Sequence, residues 1–216
     1  MNQRPLIRIV IADDHPITRS GLSAVIAGRK DMCVVGEASN GCEAIHLYQQ
    51  HRPDVVLMDM SMPDMDGLQA TRAIREECST ARIIVFSIAD GDETIYQAMK
   101  AGARGYLLKD VPAAVLLETI VAVADGQTVL PGEVAAKLAG RLHQRDLTHR
   151  EQEILEHIVA GQSNSEIGSA LFISEGTVKS HVNSLLEKLH VTDRTQAAVA
   201  ALQRGLVRNP SRNFAE

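Results

Sequence analysis

Two carboxylates, Asp13 and Asp14, close the apolar run from Leu6 to Ala12. A third, Asp59, closes the run from Asp54 to Met58, and a cation, Lys109, closes the run from Gly105 to Leu108. Ser87 follows the run ending at Phe86. Three clustered carboxylates repel one another and call for a hard divalent cation, whereas an ammonium beside them suits a phosphoryl oxygen. If the runs are parallel strands, their carboxyl ends share one edge of a sheet, and side chains remote in sequence can converge there. The set suits Mg2+ and phosphate. Asp59 also opens directly into Pro63-Asp64-Met65-Asp66-Gly67, a cluster of turn-forming residues that presents its carboxyl at a loop rather than inside a strand.

The elements that must hold these groups follow from the pattern of apolar residues. Leu6 to Ala12, Cys33 to Glu37, Asp54 to Met58, Arg82 to Phe86 and Gly105 to Leu108 read as strands. They do not alternate with polar residues, as expected where helices cover both faces. Helical segments fall between them, near His15 to Gly28, Gly41 to His51, Leu68 to Glu77, Glu93 to Ala101 and Pro112 to Ala124. The order predicts an α/β domain over 1–125: a doubly wound, five-stranded parallel sheet of flavodoxin-like type. Residues 126–146 read as a linker, with a short helix from Val134 to Leu142. Four further helical patterns over 147–216, Thr148 to Ala160, Asn164 to Leu171, Glu175 to Leu189 and Arg194 to Gln203, predict a small all-α domain. Thr148 and Glu151 have capping-box spacing, and Ser174 is placed to cap the third of these helices. His15 adjoins the acidic pair, but Pro16 after it points to helix initiation rather than metal ligation.

Composition narrows the function classes. The 216 residues and 45% hydrophobic content support two modest cores. Cys33, Cys42 and Cys78 are odd in number and lack metal-ligand spacing, which predicts reduced thiols used as small core hydrophobes in a cytoplasmic protein. No window is apolar enough to cross a bilayer, and no signal peptide precedes the first strand. The chain through Asp125 carries 12 basic against 17 acidic residues, while the remainder is balanced at 10 each. From Gly176 onward Lys179, Lys188, Arg194, Arg204, Arg208 and Arg212 make one stretch mildly basic. Gly21, Gly36 and Gly41 lack the spacing of a dinucleotide-binding loop.

Taken in order and spacing, Asp13-Asp14, Asp59 with Met60-Ser61-Met62-Pro63-Asp64-Met65-Asp66-Gly67, Ser87, and Lys109 after Gly105-Tyr106-Leu107-Leu108 resemble the receiver domain of bacterial two-component response regulators. Leu147-Thr148-His149-Arg150-Glu151, Gly161 to Ile167, Ile173-Ser174-Glu175-Gly176-Thr177-Val178-Lys179-Ser180-His181-Val182 and Arg194-Thr195-Gln196-Ala197 resemble the LuxR-type helix-turn-helix. The resemblance covers nearly the whole chain.

It implies that Asp59 is the nucleophile taking a phosphoryl group from a sensor histidine kinase. Asp13, Asp14, Asp59 and the Ser61 backbone carbonyl would hold Mg2+, while Lys109 and Ser87 would contact the phosphoryl oxygens. Ser87 would be drawn toward the phosphoryl group, vacating space for Tyr106 to enter. In the helix-turn-helix, Ser163 to Val182, the resemblance implies that Lys179, Ser180 and Asn183 meet base edges or nearby phosphates of promoter DNA. Thr177, His181 and Arg194 would position the duplex backbone. Ser165 and Asn183 stand where relatives often carry basic residues, and Asp110 follows Lys109 where receivers often have Pro. The implied protein is a DNA-binding regulator that forms a homodimer, acts on the transcription machinery and is not a turnover enzyme. Two rivals are a receiver-like protein with phosphorylation-independent DNA binding and an aspartyl phosphohydrolase. Against the second, Ser61 occupies the position where such an enzyme places a second Asp.

Overall fold

Five strands form one sheet: β1 (Ile7–Ala12), β2 (Met32–Ala38), β3 (Val55–Met58), β4 (Ile83–Ser87) and β5 (Gly105–Leu108). The structure, a computed structural model, describes residues 6–142 and 144–207. The N-terminal residues before Leu6, together with Arg208 and Arg212, lie outside the described residues. The strand order is β2-β1-β3-β4-β5, and every pairing is parallel.

Because successive residues point to opposite faces, each strand feeds two cores. Ile7, Ile9 and Ile11 of β1 and Val55 and Leu57 of β3 join one cluster with Leu22 and Ile26 of α1 (Pro16–Ala27) and Leu116, Ile120 and Val123 of α5 (Ala113–Ala124). Val10, Ala12, Val56 and Met58 turn the other way. They meet Ala44 and Tyr48 of α2 (Gly41–His51) and Ala70 and Ile74 of α3 (Gly67–Glu77). Coverage on both faces is why β3 and β4 are buried along their whole length, whereas β2, at the edge, is half-exposed.

Local chemistry sets the helix starts. Asn40 caps α2 by accepting from the Glu43 N–H, and Asp66 forms a capping box with Gln69 that begins α3 one residue earlier than the apolar pattern suggests. The helix after β4, α4 (Asp92–Lys100), carries the buried Ile95 and Ala98. Beyond α5 the chain stays with the sheet as far as Val129, which bridges to Gly105 and donates its N–H to the Arg104 carbonyl. α6 (Gly132–Leu142) follows, two residues longer at its start than the sequence pattern indicates. All three cysteines are free thiols; Cys78, half-buried, packs against the core shared by α2 and α3, whereas Cys33 is half-buried and Cys42 exposed, so Cys42 departs from the expected core role. Cys42 sits in the first turn of α2, where the side chain faces away from the sheet.

The chain separates into two compact units. One comprises the residues up to Asp90 with Ile95–Ala136, the other Gly91–Thr94 with the chain from Lys137 onward. The second unit carries α7 (His149–Val159), α8 (Asn164–Leu171), α9 (Glu175–Leu189) and α10 (Arg194–Arg204). Ile154, Leu155, Ile158, Ile167, Val178, Val182, Leu185, Leu189, Ala197 and Ala201 form its core. The Thr148–Glu151 capping box and the Ser174 cap both form. Gly168 lets α8 and α9 approach closely, since a Cβ there would lie 2.8 Å from the Ile173 carbonyl oxygen. Among the described residues no helix is long and apolar enough to cross a membrane.

Candidate phosphoacceptor site and nucleic-acid face

The order β2-β1-β3 places the switch in winding direction beside β1 and β3, and the acidic groups stand at the carboxyl ends of those two strands. Asp13 leaves β1 with its N–H on the Ala38 carbonyl, and Asp59 leaves β3 with its N–H on the Ala12 carbonyl. These ladder bonds fix both Cα positions, so burial of Asp13 (1% exposed) and Asp59 (3%) follows from the sheet itself. Gly67 closes the loop from behind: it donates to the Met60 carbonyl, and a Cβ there would lie 1.9 Å from the Asp59 carbonyl oxygen.

Lys109 arrives from β5, anchored by its N–H to the Ser87 carbonyl across a trans Lys109–Asp110 bond. Its Nζ lies 2.6 Å from Asp13 Oδ2 and 3.2 Å from Asp59 Oδ2. Burial works against charge on Lys109, but the bond to Asp13 and the Asp59 charge outweigh it, and its pKa is raised. Asp59 shows the opposite balance. Burial pushes its pKa up to about 6, against the pull of Lys109, and the neighbouring Asp13 adds to the rise. The pocket thus holds more negative charge than one ammonium offsets.

Asp13 Oδ2 and Asp14 Oδ1 are buried without hydrogen-bond partners; Lys109 Nζ lies 2.6 Å from the first and His15 Nδ1 2.6 Å from the second. Acceptor atoms of Asp13, Asp14 and Asp59, with a ring nitrogen of His15, all lie within 4.8 Å of one another. Under-neutralised hard oxygens in one small volume fit a divalent cation. Ser61 is exposed in the loop two residues past Asp59.

Ser87 is fully buried at the end of β4, with Oγ accepting from the Ala89 N–H at 3.1 Å. Tyr106 does not await a vacancy. It is already fully buried, and its hydroxyl donates to the Ala89 carbonyl at 2.6 Å. Burial raises its pKa, keeping it a donor. The reason is steric and polar together: β5 points the ring into the sheet interior, and the loop after Ser87 supplies the acceptor its hydroxyl needs.

On α9, Val178, Val182, Leu185 and Leu189 face the core, and Thr177, Lys179, Ser180 and Asn183 are exposed. Lys179 Nζ lies 3.2 Å from Glu175 Oε1, and Thr177 Oγ1 shares a hydrogen bond with Ser174 Oγ. His181 is half-buried on the flank. Arg194 is held inside its own unit, donating to the Gln162 carbonyl and to Asn164 Oδ1. It therefore ties the start of α10 to the start of α8.

The sequence reading missed Glu151 as more than a cap. Its buried carboxylate also accepts from Ser184 Oγ at 2.7 Å and Lys188 Nζ at 2.6 Å, both on α9. Burial alone would raise its pKa, yet the bonds from Lys188, Thr148 and Ser184 hold it at about 2. The capping-box spacing was a signal for the first role; nothing in linear spacing points to the second.

Comparison with known proteins defines the class. Residues 9–121 match the response regulator receiver domain, and residues 145–201 match the bacterial regulatory proteins of the luxR family. The chain belongs to the two-component response regulators with a LuxR-type DNA-binding domain, which are transcriptional regulators. It is similar to the transcriptional regulatory protein LiaR of Bacillus subtilis, 43% identical over 210 residues, spanning 94% of this chain and all of that protein. The response regulator protein VraR of Staphylococcus aureus is 38% identical over 206 residues, 93% of this chain and 99% of VraR. Among solved structures, response regulator ChrA of a heme-sensing two-component system aligns with a TM-score of 0.56 and 38% identity, covering 94% of this chain and 99% of ChrA.

Proposed function

We propose that Asp59 is the phosphoacceptor of this regulator, and that its phosphorylation by a sensor histidine kinase controls binding of the α8–α9 helix-turn-helix to promoter DNA. The observation that carries this reading is the buried Asp59 carboxylate held 3.2 Å from the Lys109 ammonium, beside Asp13 and Asp14. A carboxylate oxygen of Asp59 attacks phosphorus, and the bond from phosphorus to the kinase histidine nitrogen breaks, returning its electron pair to the imidazole. Lys109 stands beside the carboxyl to donate to a phosphoryl oxygen, and Ser87, at the end of β4, would donate to another. Asp13, Asp14, Asp59 and the Ser61 carbonyl would hold a divalent cation such as Mg2+, which would supply charge neutralisation. The reading makes the chain a cytoplasmic switch that accepts one phosphoryl group, not a turnover enzyme, and that acts on the transcription machinery as a dimer.

A small phosphoryl donor with Mg2+ is expected to place a single adduct on Asp59, seen by intact-mass and peptide mass spectrometry, and to raise affinity for a two-half-site operator. Asp59→Asn abolishes both. Equal operator titrations with and without the adduct favour the second reading, DNA binding independent of phosphorylation. That reading has one observation on its side: Tyr106 is already inside. Multiple turnovers on small phosphate esters would indicate a phosphohydrolase.

A further inference from the structure

We propose that Cys42 and His46, with the Glu43 carboxylate beside them on the surface of α2, form a site for a borderline transition-metal ion of the Zn2+ class. The cysteines lack ligand spacing among themselves, but Cys42 has it with His46, four residues on. The stretch Cys42-Glu43-Ala44-Ile45-His46 puts a thiol and an imidazole one helical turn apart. At about 100° per residue the three side chains share one sector of the helix, with His46 lying between Cys42 and Glu43. All three are exposed, and they line one cavity of about 400 Å3 together with Leu47 and Glu37. Gly36 shapes that cavity: a Cβ there would lie 3.1 Å from Leu47 Cδ2, so its absence lets α2 lie close to β2.

The donors are available. Among the described residues neither the Cys42 thiol nor the His46 ring has a hydrogen-bond or ionic partner. Glu43 is fixed through Oε2, which accepts from the Ser39 N–H at 2.7 Å and from Ser39 Oγ at 2.9 Å. Those bonds hold its carboxyl below the usual range and leave Oε1 for a metal. Glu37 belongs to the rim, since its Oε1 accepts from Ser23 Oγ and its Oε2 lies 3.7 Å from Arg19 Nε. Side chains one turn apart start from Cβ atoms about 5–6 Å apart. Ligands of a tetrahedral ion with bonds of about 2.0–2.3 Å stand about 3.5 Å apart, a gap that rotation about the side-chain bonds closes. Sulfur and nitrogen donors favour Zn2+ and Co2+ over Mg2+, and the thiol gives its proton to solvent as the metal–sulfur bond forms. Three protein donors leave the fourth tetrahedral position to water.

Titration of the reduced full chain with Co2+ tests this, with Mg2+ in excess to compete at the acidic pocket. Only a thiolate ligand gives a near-ultraviolet sulfur-to-cobalt band. One equivalent is expected to develop that band with the strong visible bands of tetrahedral Co2+, and Zn2+ to bleach both. Cys42→Ser removes the sulfur band, whereas Cys33→Ser and Cys78→Ser leave it unchanged. His46→Ala weakens Co2+ and Zn2+ at least about tenfold in competition with a chromophoric chelator. Circular dichroism shows that the variants, altered at exposed positions, keep their helices. A sulfur band that persists in Cys42→Ser puts the metal on another thiol and overturns the site. Equal affinity in wild type and His46→Ala reduces it to a single reactive thiol and overturns it too, as does the absence of any sulfur band in the wild type.

Discussion

At the scale of single residues, Asp59 carries a tension between burial and charge. Its folded pKa is raised from 3.8 to about 6. A carboxyl with a raised folded pKa stabilises the fold fully below its unfolded pKa, and that contribution is lost as pH rises through the folded value, here between about 4 and 6. In cation-free buffer Asp59→Asn is therefore expected to be more stable than wild type at pH 8, by about 2–3 kcal/mol at most, with the difference vanishing below about pH 4. Urea unfolding at both pH values checks this, and millimolar Mg2+ should shrink the gap. Gly67 makes a second residue-scale prediction. With the Asp59 carbonyl in the way of a Cβ, Gly67→Ala forces the loop after Asp59 to move. The expected cost is about 1–3 kcal/mol, with a slower phosphoryl uptake measured by mass spectrometry.

Between elements, the decisive link in the second unit runs from α7 to α9 through Glu151. One carboxylate both caps α7 and accepts from Ser184 and Lys188. Removing its charge leaves the Lys188 ammonium, only 19% exposed, without its anionic partner and with only the Asp146 carbonyl at 3.3 Å. Glu151→Gln is expected to cost about 3 kcal/mol, read as faster amide exchange in α7 and α9 than in the sheet. The folded pKa is depressed to about 2, so the stabilisation is present above the unfolded value near 4.5 and is lost as pH falls through 2. Exchange rates in these helices should therefore be flat from pH-corrected data between about pH 5 and 7. The same frame holds Lys179 on the outer face of α9, where its ion pair with Glu175 is exposed and readily given up to a base or phosphate.

For the molecule as a whole, charge distribution limits how DNA can be held. The chain after Asp125 has no net charge, and Arg194 already commits two of its five N–H donors to Gln162 and Asn164. Few cations remain to displace counterions, so each bound subunit should neutralise no more than about three phosphates. The logarithm of operator affinity is then expected to fall with that of salt at a shallow slope of about −3 or less per subunit. Lys179→Ala should lower affinity by about 1–3 kcal/mol, relaxing sequence preference at one position if it reads a base. Fluorescence anisotropy across a salt series measures both.

What the amino-acid order determined alone is local: which apolar runs are strands, where Thr148 and Ser174 begin helices, and that acidic and cationic groups terminate strands β1, β3 and β5. Those features depend on periodicity, turn chemistry and capping, all of which act within a few residues. Tertiary structure decided the rest. Lys109 spans Asp13 and Asp59 because β1, β3, β4 and β5 lie side by side, an adjacency no local pattern encodes. Tyr106 is inside because the loop after β4 offers the Ala89 carbonyl, and Cys42 is outside because α2 turns that position away from the sheet. Arg194 faces inward because α8 and α10 meet, and His15 joins the acidic cluster because a backbone bond to Asp13 steers its ring. In each case the partner lies on another element or depends on where a loop is held, and its identity is fixed only when packing brings the two within reach.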